Sequence, residues 1–202
     1  PGFTLTADVP RWWRELRVRR SARLTLMALR GNEDEVVRDY LRAVPCFTLF
    51  FIAEGLAFLE YVARTVKLPH VQPLAELERA LWGLKLAAPA WNGDVPEQVP
   101  GLVLERHPTA ARVPFQASPQ AVLGAVLAGR ALPAPVGPGH SVLVAPGIQG
   151  LWRPATPDEA CAFEACDGVK PLDATGALPG APAEAVASLL AVGALRVARP
   201  PG

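Results

Sequence analysis

The chain has 202 residues, 50% of them hydrophobic and 19% charged, with a formal charge of +1. That balance excludes a disordered polyelectrolyte, and the length suits one domain or two small ones with real cores. The longest uncharged apolar run, 43–53, is about half of the roughly 20 residues that span a bilayer, so no transmembrane helix is expected.

The opening segment PGFTLTADVPRWWRELRVRR has no apolar stretch between a basic start and a cleavage site, so no secretory signal is expected. Three cysteines, Cys46, Cys161 and Cys166, are too few for a disulfide framework and fit a reducing, cytoplasmic setting. Proline splits the chain, with five of the 22 before residue 89 and 17 from there on. Because proline lacks the amide donor and clashes with the preceding turn, the first part reads as helical and the second as short elements joined by turns. The expected class is α+β: a helical bundle over 1–95, then an α+β domain over 96–202.

In chain order, 11–30 is a basic helical stretch. Asn32 followed by Glu33, Asp34 and Glu35 is a cap with acids in the first turn, which starts a helix over 33–44. Pro45 opens the next, where Leu49, Ile52, Leu56, Leu59, Ala63 and Val66 keep helical spacing and Phe47, Phe51, Phe58 and Val62 cover a neighbouring stripe. Leu74, Leu77, Leu81 and Leu84 give a last amphipathic helix that ends before Pro89. Further on, LVLERHP and ARVPF have strand character, SPQAVLGAVLAG reads as a capped helix closed by Gly129, and RALPAPVGPG reads as a linker.

From His140 onward, SVLVA and GIQGLW read as a two-stranded hairpin about Pro146-Gly147. Thr156-Pro157-Asp158-Glu159 supplies the cap, the proline and the acids of a helix with Ala160, Phe163 and Cys166 inward, stopped by Asp167-Gly168. A loop rich in Gly, Ala and Pro leads to a helix over 182–192, closed by Gly193 and followed by apolar Ala194 to Val197.

That order, HSVLVAPGIQGLWRPATPDEACAFEACDGVKPLD…AEAVASLLAVGALRV, resembles the peptide-chaperone family of pyrroloquinoline quinone biosynthesis, a RiPP recognition element. The matching features are the strand pair around Pro146 and Gly147, a helix running into Cys166-Asp167-Gly168, and a last helix that breaks at Gly193 before Ala194-Leu195. The resemblance covers about a third of the chain. It implies a winged-helix-like unit over 138–202 with a small antiparallel sheet, whose edge captures the leader of a precursor peptide by strand addition. The implied edge is Ile148, Gln149, Gly150, Leu151 and Trp152, with Val186, Leu189 and Leu190 lining a groove beside it. The first strand of the expected three-stranded sheet is not evident immediately before His140.

A helical first domain fused to such an element, with its PCFTLFF segment, also resembles partner subunits of multinuclear non-haem iron oxidative enzymes that modify precursor-peptide cysteines. This implies a heterodimer in which iron and chemistry belong to the partner enzyme. This chain would then hold no cofactor or metal and no catalytic residue, and would contact neither nucleic acid nor membrane.

The residues offer little chemistry of their own. His70, His107 and His140 are isolated and lack metal-ligand spacing, and Cys161 and Cys166 fall on different helix faces. Glu54 sits among Phe47, Phe50, Phe58 and Tyr61, and it is either paired inside with an arginine of the basic helix or part of a partner-facing aromatic surface. Trp12 and Trp13 beside the basic residues suggest that same interface, together with Phe50. The competing reading is a winged-helix DNA-binding transcriptional regulator. From residue 138 on, four basic residues face six acids, and AEAVASLLAVG has no Arg, Lys, Asn or Gln for base edges, which disfavours it.

Overall fold

The computed structural model describes residues 2–45, 50–87 and 91–198, with side chains from residue 11 onward. The chain is α+β and divides into two compact units: Pro1–Trp82 with Gln120–Val136, and Gly83–Pro119 with Gly137–Gly202. The units interleave along the chain.

The first unit is built from α1 (Gly2–Ser21), α2 (Arg23–Leu29), α3 (Glu33–Ala43), α4 (Phe51–Thr65) and most of α5 (Val71–Leu86) and α6 (Pro119–Leu127). The basic stretch expected as one helix over 11–30 is broken at Ala22, which has φ −118° and ψ 45°. Ala22 has no capping side chain, and the cap comes from α5 instead. The Glu78 carboxylate accepts the Leu24 N–H at 2.8 Å, the Thr25 N–H at 2.9 Å and the Thr25 hydroxyl at 2.7 Å. The two N–H groups are orphan donors of a helix N-terminus. Burial pushes the Glu78 carboxyl above the ordinary carboxylate range. Arg30 and Gly31, both at positive φ, close α2.

Helix α3 matches the expected span, although the Asn32 side chain makes no capping hydrogen bond. Helix α4 begins at Phe51 and not at Pro45, because Phe50 is extended (φ −82°, ψ 130°). Cys46, Phe47 and Leu49 of the expected helix lie outside the described residues. Helix α4 packs mainly on α1, and Gly55 permits the approach: a Cβ there would overlap the Ser21 side chain. The core of this unit includes Leu29, Val37, Tyr40, Phe58, Leu59, Val62, Leu74 and Leu77, all buried. The helical spacing of Leu59, Phe58, Leu74 and Leu77 anticipated this.

The second unit holds two three-stranded antiparallel sheets. Its strands are β1 (Val103–Arg106), β2 (Ala111–Phe115), β3 (His140–Val144), β4 (Trp152–Ala155), β5 (Asp167–Pro171) and β6 (Leu195–Val197), with α7 (Pro157–Ala165) and α8 (Ala183–Ala191). One sheet has the order β5-β1-β6 and the other β2-β3-β4. The strand missing before His140 is therefore β2, which pairs with β3 from Ala111↔Val144 to Phe115↔His140. Asp167-Gly168 ends α7 as expected but then opens β5, so the segment is a strand and not a loop. One apolar cluster joins Leu104 of the first sheet and Leu143 of the second to Phe163 of α7 and Leu189 of α8. Helix α7 carries the expected cap in full: Thr156 Oγ1 accepts the Glu159 N–H at 3.1 Å and Glu159 Oε2 accepts the Thr156 N–H at 2.9 Å.

Candidate peptide-binding edge

The edge strand expected over 148–152 does not form. The Ile148 N–H donates to the Ala145 carbonyl at 3.2 Å and the Leu151 N–H to the Ile148 carbonyl at 2.8 Å, so the chain makes successive turns. Gly150 and Leu151 have φ of 79° and 71°, outside the range a strand uses. Ile148 is buried in the core, Gln149 and Gly150 are exposed, Leu151 is half-buried, and only Trp152 belongs to a strand, as the first residue of β4. Val186, Leu189 and Leu190 are fully buried in the cluster with Ile148, so they form core and not the wall of an open groove. They face inward because the helix has a single apolar stripe, and the core claims it.

The open edges follow from hydrogen-bond parity. In an antiparallel ladder, alternate residues of an edge strand direct their N–H and C=O away from the neighbour. The Ala145 N–H donates to the Leu151 carbonyl, and with the register Leu143↔Arg153 this turns Trp152 and Pro154 of β4 outward. Pro154 has no N–H, and its carbonyl already accepts Arg153 Nη1 at 3.0 Å. On the other edge, β2 by the same parity turns Arg112 and Pro114 outward. Proline at the outward position blunts both edges of this sheet. In the first sheet β5 ends in Pro171, whereas β6 has no proline.

Strand β6 donates and accepts inward through Arg196, flanked by His107 N–H to Ala194 O and Ala198 N–H to Val103 O, both 2.9 Å. Leu195 and Val197 thereby turn their backbone groups outward, but Leu195 is only 3% exposed, and Val197, at 42%, is the open position. Among the described residues no backbone group pairs with either. Along this edge runs a groove of about 400 Å³, with Trp91, Val95 and Pro96 on one side and β6 on the other.

Trp91 anchors that wall. A Cβ on Gly147 would come within 2.5 Å of the Trp91 ring and 2.8 Å of the Val192 carbonyl, and one on Gly193 within 2.7 Å of the ring. Gly193 also has φ 65°. Both glycines are therefore seats for the indole, and the Gly147 N–H donates to the Val192 carbonyl at 2.9 Å. The sequence reading singled out both glycines as turns but not Trp91. The one signal available was a large aromatic ring in a proline-flanked stretch with no helix to bury it.

The polar groups at the groove are few. Arg196 is held by Glu105, with Nε to Oε1 at 2.7 Å and Nη2 to Oε1 at 2.6 Å. His107 Nδ1 meets Thr109 Oγ1 at 2.8 Å, and burial, then the Arg196 charge, lower its pKa, which keeps the imidazole neutral near pH 7. Asp94 is exposed and has no cation partner among the described residues. Behind β4, Arg153 Nη1 and Nη2 clamp Glu159 at 2.8 and 2.5 Å, and the Ser188 hydroxyl donates to the same carboxylate at 2.6 Å. Burial pushes the Glu159 carboxyl up, but the Arg153 fork, the Ser188 hydroxyl and the Thr156 N–H outweigh it and hold it at about 2. This clamp ties β4, α7 and α8 into one scaffold.

In the helical unit Glu54 is fully buried. Its Oε1 accepts Arg14 Nε at 2.9 Å and the Tyr40 hydroxyl at 2.8 Å, and Arg14 Nη2 also reaches the Val44 carbonyl at 2.8 Å. Glu54 is thus the internal partner of an arginine from the first helix and does not lie on the surface. Trp12 and Trp13 are 57% and 48% exposed and stack edge to face at 4.9 Å, while Phe50 is 78% exposed. Those three lie at the surface of the helical unit.

Cys166 is buried and its thiol is pushed up to about 11 by burial and then by Asp167, which leaves it protonated at neutral pH. Cys161 is exposed. Among the described residues no three His, Cys, Asp or Glu side chains cluster as metal ligands, and no helix is long and apolar enough to cross a membrane. No protein-family model matches the chain, and no curated protein matches it.

Proposed function

We propose that this chain is a non-catalytic recognition subunit that binds the leader of a ribosomally made precursor peptide by strand addition. It presents that peptide to a multinuclear non-haem iron-dependent oxidative enzyme, with which it forms a cytoplasmic heterodimer. Iron and the oxidation belong to the partner enzyme. The second unit acts as a winged-helix-like recognition element, and Trp12, Trp13 and Phe50 of the helical unit supply the partner contact.

The observation that carries this reading is the unpaired outer edge of β6, held beside a largely apolar groove by a scaffold of α7 and α8. An extended peptide completes such an edge through main-chain hydrogen bonds and places alternate side chains in the groove. The buried, protonated Cys166 and the neutral, tied-up His107 are poor nucleophile and base, which fits a binding role.

The test is co-expression of the full chain with the short cysteine-bearing precursor and the iron-binding oxidase expected beside its gene. A stable three-component complex, in which oxidation of the precursor needs both proteins, is the expected result. Conversion of the precursor by this chain alone, or a DNA shift at moderate salt without a peptide complex, overturns the reading.

A further inference from the structure

The groove along β6 has a charge as well as a shape. Arg196 is compensated by Glu105, and His107 is tied to Thr109. That leaves Asp94 as the one uncompensated charge of the lining. Trp91, Val95 and Val197 supply apolar surface around it. Backbone capacity is equally specific. Val197, 42% exposed, offers one N–H and one C=O outward, a pair of main-chain hydrogen bonds for a strand laid against it, whereas Leu195 is 3% exposed.

We propose that β6, rather than β4, is the docking edge, and that its occupant is an extended peptide of basic and apolar character. The peptide backbone pairs with Val197, one apolar side chain enters the groove against Trp91 and Val95, and a Lys or Arg of the peptide reaches Asp94. This rests on the strand-addition reading and deepens it by naming the edge and the chemistry of the guest. The outward prolines of β2 and β4 exclude those two strands as templates, because Pro114 and Pro154 each remove a donor where a guest strand needs one.

The experiment is selection of a displayed library of random twelve-residue peptides on the full chain. Enriched peptides are expected to combine an apolar residue with Lys or Arg. Val197→Pro removes an outward N–H without touching the β1 ladder, and it is expected to weaken the enriched peptides by about tenfold or more. Asp94→Lys, at an exposed position, is expected to turn the selected residue from basic to acidic. Unchanged affinity on Val197→Pro, unchanged charge preference on Asp94→Lys, or no enrichment at all overturns the proposal. A natural precursor that still binds Val197→Pro removes this edge but leaves the recognition function standing, whereas a precursor that binds no version of the chain removes both.

Discussion

Gly147 and Gly193 make sense only with Trp91 in view. Each lies in a turn, but the space each leaves is filled by one indole, which fixes the groove wall to the second unit. Gly147→Ala is expected to destabilise the unit by about 1–3 kcal/mol through overpacking against the ring and the Val192 carbonyl. Trp91→Ala in the same chain should recover part of that loss in a urea-denaturation cycle, because one of the two obstacles is gone. Additive losses would show that the indole and the turn do not touch. Gly147 was legible in the sequence as a turn residue, from its place after Pro146. Its partner was not, since Trp91 is remote in sequence and no local pattern joins the two.

Among the elements, the break between α1 and α2 depends on a cap borrowed from α5. Glu78→Ala leaves the Leu24 and Thr25 donors buried without an acceptor, and a loss of about 1–3 kcal/mol in denaturant unfolding is expected. A loss near zero would mean that α2 caps itself. The sequence concealed this break because caps are ordinarily read within four residues of the helix start, and this one comes from 54 residues away. By contrast the start of α7 was legible, since Thr156, Pro157 and Glu159 form a local cap. Glu159 also carries the clamp to Arg153 and Ser188. Its carboxyl titrates at about 2 against an ordinary 4.5, so the native state binds fewer protons in that window. Its contribution is therefore present above pH 4.5 and lost as the pH falls towards 2. Glu159→Gln should lower the thermal midpoint at pH 7 and flatten its fall across that acid window. An acid limb as steep as that of the unaltered chain would contradict the clamp.

At the scale of the whole molecule, the proline distribution located the change from long helices to short elements, and the α+β class followed from it. The pairing of the strands did not. ARVPF and SVLVA, separated by α6, share one sheet, while the adjacent LVLERHP joins the last strand of the chain in the other. Such pairings are decided by which apolar faces meet in the core, and Leu104, Leu143, Phe163 and Leu189 meet in one cluster. The candidate site moved for the same reason: Val186, Leu189 and Leu190 had the apolar spacing of a groove wall but were needed inside. For Glu54 the sequence leaves two readings, an internal arginine pair or a partner-facing surface, and its burial against Arg14 selects the first. The open edge emerged only from the parity of hydrogen bonds, which strand register alone determines.

Amide hydrogen exchange on the full chain, with and without a peptide enriched by selection on it, tests the central claim most directly. The account predicts new protection at Val197, with the amide of Arg196 already protected in the free chain. Slowed exchange confined to the helical unit, or no change anywhere from Gly83 onward in a saturated complex, would contradict it.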